Sequence, residues 1–148
     1  ILENLQDPGN LGTMIRTGEG AGITGVIMNQ QTVDIFNPKT IRATMGSIFR
    51  VPFVYVPELS TVLTQMHERG IHTYAAHLKG QKYYDSFSFR EPTAFLIGNE
   101  GNGLTKEISD QAGQYLKIPM EGKVESLNAS IAAALLMYEA HRQRSARL

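Results

Sequence analysis

The stretch FLIGNEGNGL, residues 95–104, runs from an apolar segment directly into three glycines arranged around a carboxylate. Glycine-rich loops that follow strands usually cradle phosphate, because backbone N–H groups and a helix N-terminus attract anions. Here the order is Gly98-x-x-Gly101-x-Gly103, not the G-x-G-x-x-G of dinucleotide sites, and Glu100 stands where its charge would repel a pyrophosphate. A phosphate-free or cationic ligand fits these residues better. The simpler alternative is a tight turn carrying an exposed glutamate.

Upstream and downstream of this loop, short β-rich runs alternate with helical patterns. The runs are GVIMN (25–29), PFVYV (52–56), IHTYAAHL (71–78), TAFLIGN (93–99) and QYLKIPM (114–120). Such alternation predicts an α/β domain, a parallel sheet with helices on its faces. Between the first two runs, Asn37 can cap a helix, Pro38 suits its first turn, and Ile41, Met45, Ile48 and Phe49 keep helical spacing. ELSTVLTQMHERG (58–70) and LTKEISDQAG (104–113) read as crossover helices that close on Gly70 and Gly113. The longest helix is expected from Ser126 onward, with Leu127, Ile131, Leu135 and Tyr138 on one face. It ends in HRQRSARL, whose cations complement a helix C-terminus. YYDSFSFREP (83–92) reads as irregular.

Composition narrows the function classes. Fourteen Lys and Arg balance fourteen Asp and Glu, so no global positive field draws in a polyanion, although a local basic patch is compatible with that count. Cysteine is absent, which removes disulfides, thiolate metal sites and a cysteine nucleophile, and suits a reducing compartment; cytoplasm is the expectation. The apolar run IAAALLMY (131–138) falls far short of the ~20 residues of a membrane span. His67, His72, His77 and His141 form no i, i+4 pair and no metal-ligand spacing, so no metal is expected. Neither a Walker motif nor a G-x-S-x-G elbow occurs.

Two further clusters stand out. In DPGNLGTMIRTGEGAG (7–22), Asn10 can cap a helix, and Gly12 lies one turn from Arg16, a spacing that leaves room for a ligand beneath the arginine. The alternative is a glycine-rich turn with a surface arginine. In IPMEGKVESLNASIAAALLMYE (118–139), a strand end leads to Ser126 and Asn128 at the head of the long helix. Ser126 can serve simply as an N-cap, but strand ends of open α/β sheets are also where ligands bind.

Taken in order, N-x-G-x-x-x-R at Asn10, Gly12 and Arg16, then IGNEGNGL, then IPMEGKVESLNASIAAA resemble the SpoU (TrmH) family of RNA ribose 2′-O-methyltransferases, within the SPOUT superfamily. The resemblance extends over nearly the whole chain, including NPKTIRATMGSIFRVP (37–52); Gly18 and Gly20 depart from the alanines common in that pattern. It implies a parallel sheet flanked by helices with a C-terminal deep trefoil knot. It implies S-adenosylmethionine held by Gly98, Ile118 and Leu127, with Ala76 and His77 nearby. It also implies a homodimer in which Arg16 approaches the partner's cofactor. Arg16 is the family's match for the catalytic arginine, with Asn10, Glu100, Ser126 and Asn128 shaping the pocket. Glu100 is expected to tolerate or position the cations around it, the sulfonium and Arg16.

The implied substrate is structured RNA, with ribosomal RNA preferred over transfer RNA. Residues 1–148 correspond to the catalytic domain, and the N-terminal RNA-binding domain of many relatives is expected to be missing from this chain. Two rival readings are weaker. A catalytically idle RNA-binding relative would have lost some of the five polar site residues, and a nucleotide-binding oxidoreductase fails on glycine order and on Glu100.

Overall fold

The computed structural model describes residues 1–145. All five apolar runs form strands: β1 (Val26–Asn29), β2 (Phe53–Val56), β3 (His72–Ala76), β4 (Thr93–Leu96) and β5 (Gln114–Leu116). Every pairing is parallel; β1 pairs with β2, and β3 lies between β4 and β5. The amino-terminal residues join the two groups, since Leu2 bridges both Met28 and Ile97. Parallel strands need crossovers: α2 (Pro38–Thr44) lies between β1 and β2, α3 (Leu59–Glu68) between β2 and β3, and α4 (Lys106–Gln111) between β4 and β5, while α1 (Pro8–Ala21) precedes β1 and the long α5 (Ala129–Ser145) follows β5.

Both sheet faces are covered. Strand alternation sends Met28, Tyr74 and Phe95 toward one apolar cluster, with Leu11, Ile15, Phe89 and Leu136 at its centre. Ala75 and Leu96 turn to the other, with Leu59 and Leu63 of α3 and Ile108 of α4. A fully buried Leu contributes about 1.5–3 kcal/mol through its apolar area, so these side chains hold the helices onto the sheet.

Several local expectations are corrected. The helix expected through Phe49 stops at Thr44, because Met45 (φ 49°) and Gly46 (φ 88°) turn left-handed; a 3-10 turn follows at Ser47–Phe49. Asn37 does cap α2, accepting from Lys39 N–H at 2.9 Å. Gly70 is left-handed after α3, as a closing glycine should be, but Gly113 is not: its N–H donates to Thr73 Oγ1 at 2.8 Å, at the entry to β5. On α5 the buried face carries Ala133, Leu136 and Ala140, while Ile131 (51% exposed) and Tyr138 (47%) of the expected apolar stripe face outward. The terminal cations Arg142 and Arg144 do stand in the last turn of that helix, as expected. Arg142 pairs with Glu139, Arg144 donates to Phe89 O and Glu91 O, and Arg147 lies outside the described residues.

Candidate active site

Because the strands are parallel, their carboxyl ends share one edge, which is where open α/β sheets place ligands. In register, Ala75 pairs with Leu96 and Ala76 with Leu116, so His77, Gly98 and Ile118 each follow within two residues of neighbouring strand ends. Ala76, His77, Gly98, Ile118 and Leu127 are all half-buried. The His77 ring stacks on Tyr115 with centroids 4.7 Å apart. Its Nδ1 accepts from Lys79 N–H at 3.0 Å, which leaves Nε2 as the protonated nitrogen of the neutral ring. This donor set of aliphatic side chains and strand-end backbone fits an uncharged purine and its ribose better than a phosphate.

The loop after β4 explains Gly98 differently from ligand approach. A Cβ there would run into the backbone of Gly103 and Leu104, because the loop doubles back on itself. Asn99 N–H donates to Gly103 O at 3.0 Å, Gly103 N–H returns to Asn99 O at 2.8 Å, and Asn99 Oδ1 accepts from Gly101 and Asn102 N–H. Gly103, at φ 69°, makes the turn.

Glu100, Asn10 and Asn128 come together from three distant segments. The Glu100 carboxylate accepts from Asp7 N–H at 2.8 Å, Gln6 N–H at 3.0 Å and Asn10 Nδ2 at 3.3 Å. Partial burial acts to raise its pKa, but the donated hydrogen bonds of Gln6, Asp7, its own N–H and Asn10 outweigh it and hold the group below the usual carboxylate range. Asn10 Oδ1 in turn accepts from Asn128 Nδ2 at 3.1 Å. Glu100 therefore satisfies neutral donors at the start of α1 and makes no contact with Arg16.

Three roles expected of these residues change. Asn10 does not cap α1: Asp7 does, accepting from Asn10 N–H at 2.8 Å, with Pro8 in the first turn. The Asp7-Pro8 pair is the sequence signal that marks this cap. Ser126 does not cap α5 either; Asn128 Oδ1 accepts from Ser130 N–H at 2.8 Å and from Ile131 N–H at 3.3 Å, while Ser126 is exposed without a side-chain hydrogen bond. Gly12 leaves no ligand space beneath Arg16. A Cβ there would lie 2.5 Å from Ala43 Cβ and from Thr40 O, so this glycine lets α1 and α2 approach.

Arg16 itself is exposed and, among the described residues, has neither a carboxylate nor a hydrogen-bond partner. It lies six residues beyond Asn10, roughly 9 Å along the helix axis. Thus the structure gathers Asn10, Glu100 and Asn128, places Ala76, His77, Gly98 and Ile118 at neighbouring strand ends, keeps Leu127 half-buried just before α5, and leaves Arg16 and Ser126 apart. Glu3, Gln6, Asp7 and Asn99, which complete the polar framework, escaped the sequence reading. A separate apolar cavity of about 730 Å³, at the amino ends of β1 and β4, includes none of the ten candidate residues.

Comparison with known proteins identifies the family. The SpoU rRNA Methylase family model matches residues 1–138. The 23S rRNA (guanosine(2553)-2'-O)-methyltransferase RlmP of Bacillus subtilis is 37% identical over 93% of this chain and 55% of its own. The SpoU methyltransferase AviRb of Streptomyces viridochromogenes, crystallised with AdoMet, superposes with a TM-score of 0.91 at 35% identity, covering 99% of this chain and 57% of that one. The TrmH/SpoU tRNA modifying enzyme of A. aeolicus gives a TM-score of 0.86 at 28% identity, over 97% and 73%. The chain spans little more than half the length of the curated relatives it matches. With the family pattern matched from Ile1 to Tyr138 and the fold shared with solved members, this chain belongs to the SpoU rRNA methylase family.

Proposed function

We propose that this chain is the catalytic domain of an S-adenosylmethionine-dependent RNA 2′-O-methyltransferase, acting on ribosomal RNA. The observation that carries the reading is the convergence of Asn10, Glu100 and Asn128, the last next to Leu127, beside the strand ends at Ala76, His77, Gly98 and Ile118. Relatives named for 23S rRNA and for AdoMet support it. Transfer RNA is the rival substrate, on the similarity to the A. aeolicus enzyme.

When bound, S-adenosylmethionine supplies a methyl group activated by its sulfonium. Ala76, His77, Gly98, Ile118 and Leu127 would hold it, and the methyl would be supplied to a ribose 2′-hydroxyl whose proton would pass to a neighbouring RNA phosphate. This chain must then stabilise a developing alkoxide. Arg16 has the chemistry for it: a guanidinium that stays protonated, exposed and uncommitted. Asn10, Glu100 and Asn128 hold the head of α1, and thereby Arg16, in place. Ser126, whose side chain has no hydrogen-bond partner among the described residues, is available to the ribose.

A homodimer completes the site in this reading. Ile131 and Tyr138 of α5, and Ile41, Met45 and Phe49 beside α2, are exposed apolar side chains on the two helices that flank α1. A second copy covering that layer would bury them and carry Arg16 toward the other subunit's cofactor. The C-terminal trefoil knot is part of the same proposal. Its support is the parallel bridge that ties the exit of β5 to residues 82–84, with Lys117 N–H donating to Lys82 O and Tyr84 N–H to Lys117 O. We assign the reaction to the cytoplasm; no helix among the described residues is long and apolar enough to cross a membrane.

Incubation with ribosomal or transfer RNA and methyl-labelled S-adenosylmethionine, followed by nucleoside analysis, tests the reaction. Label in 2′-O-methyl nucleosides is expected. Label confined to the bases would contradict the proposal, and preferential labelling of transfer RNA would replace the substrate.

A further inference from the structure

Glu3 is 5% exposed, yet no cation lies within ion-pair distance of it among the described residues. A buried carboxylate survives only where its lone pairs are met. Those of Glu3 are met by one residue, Thr105, whose hydroxyl donates to Oε1 at 2.7 Å and whose N–H donates to Oε2 at 2.8 Å.

The position of Thr105 gives this contact its meaning. Thr105 closes the loop that opens at Gly98, and its Oγ1 caps α4 by accepting from Ile108 N–H at 3.3 Å. At the loop's other end, Glu3 N–H donates to Ile97 O at 2.9 Å. A single residue thus grips the residues on both sides of the loop, one through its backbone and the other through its carboxylate. The chain then continues along the loop. Asn4, at φ 55°, accepts from Asn99 Nδ2 at 2.9 Å, and Gln6 and Asp7 reach Glu100. This backbone leads directly into α1, which carries Asn10 and Arg16.

We propose that Glu3 is a positioning residue, which sets the cofactor-side loop Gly98–Leu104 relative to the substrate-side helix α1 by clasping the loop at Ile97 and Thr105. The proposal rests on the reading of Gly98 as cofactor-side and adds a residue that acts through the loop without touching ligand. A hydrophobic residue at position 3 could fill the same volume but could not hold Thr105. Glutamine retains one acceptor and turns an N–H₂ group toward a donor, so Glu3→Gln should loosen the clasp without emptying the space.

Calorimetry with S-adenosylmethionine, methyl-transfer kinetics and hydrogen exchange of the loop amides, run on folded protein, test this. Glu3→Gln and Thr105→Val should each weaken S-adenosylmethionine binding roughly tenfold, as loss of one buried hydrogen bond to a carboxylate would. Both should speed exchange at Asn99 and Gly103 and raise KM for S-adenosylmethionine more than they lower kcat. The double variant should be little worse than either single one, because both cut the same link, and Thr105→Ser, which keeps both donors, should match the unaltered chain. If Glu3→Gln does not fold, Thr105→Val against Thr105→Ser carries the test. A lower melting temperature with unchanged affinity and loop exchange overturns the assignment of Glu3 alone. Failure of the unaltered chain to bind S-adenosylmethionine overturns the reading of the site itself.

Discussion

The first turn and the third turn of α1 are built on opposite principles. At its head, Asp7 accepts from Asn10 N–H, Glu100 gathers Gln6, Asp7 and Asn10, and Asn128 closes the chain of contacts on Asn10. Two turns on, Arg16 faces solvent with no partner among the described residues, and three residues later Glu19 is engaged again by Ser47 and Arg50. The polar groups at the head are complete without any ligand and serve as a rigid support. In the proposed function, this cation between two satisfied regions would meet an incoming anion, either an RNA phosphate or the alkoxide that would form during transfer.

Substitutions can break this contrast in order of effect. Arg16→Ala should lower methyl transfer about 100-fold or more while leaving S-adenosylmethionine affinity within a few-fold, because it removes transition-state stabilisation and no part of the support. Steady-state kinetics alongside calorimetry read the two quantities separately. Gly12→Ala drives a methyl group into Ala43 and the Thr40 carbonyl, and should cost about 1–3 kcal/mol in denaturant unfolding through strain between α1 and α2. Asn128→Ala removes the N-cap of α5 and the contact to Asn10 together, for about 1 kcal/mol. Ser126→Ala, two residues away and unbonded, should stay within about 0.5 kcal/mol of the unaltered chain.

The smallest effect is a matter of pH. Glu100 and Glu19 both have folded pKa values below the ordinary carboxylate value: Glu100 because its backbone and Asn10 donors outweigh the burial that opposes them, Glu19, at about 2, chiefly through Arg50 and then Ser47. Groups with depressed pKa values bind fewer protons folded than unfolded. Their stabilisation is therefore fully present above the ordinary carboxylate pKa and is lost as pH falls from there through the folded values. Unfolding midpoints should be flat near neutrality in this respect and decline on acidification, less so in Glu100→Gln.

Much of this was legible in the sequence. Five apolar runs bounded by glycine and proline became five parallel strands, and the three motifs named the family that the comparisons support. What escaped has physical causes. Periodicity does not tell the buried face of α5 from its outward stripe because that helix is apolar on both sides, with Ala133, Leu136 and Ala140 packing inward where Ile131 and Tyr138 do not. Asn10 was read as a cap because Asp7 and Asn10 are both good capping residues, and Pro8 decides between them. Glu100 was read through the charge of a ligand, whereas its partners are backbone N–H groups, whose direction no residue pattern reveals. Glu3 reaches Thr105 across 102 positions of sequence, a contact that local periodicity does not encode.

In the proposed dimer, Arg16, uncommitted among the described residues of its own chain, would serve the site of a second copy. Subunits carrying Arg16→Ala, with an intact cofactor edge, can be co-purified as mixed dimers with subunits carrying Leu127→Asp, which spoils that edge but keeps Arg16. Each variant alone should be inactive. The mixed dimer should recover roughly half of the unaltered turnover, since one site combines the intact edge with Arg16 of the partner subunit. A mixed dimer as inactive as its parents would show that Arg16 acts within its own subunit, and would contradict the account.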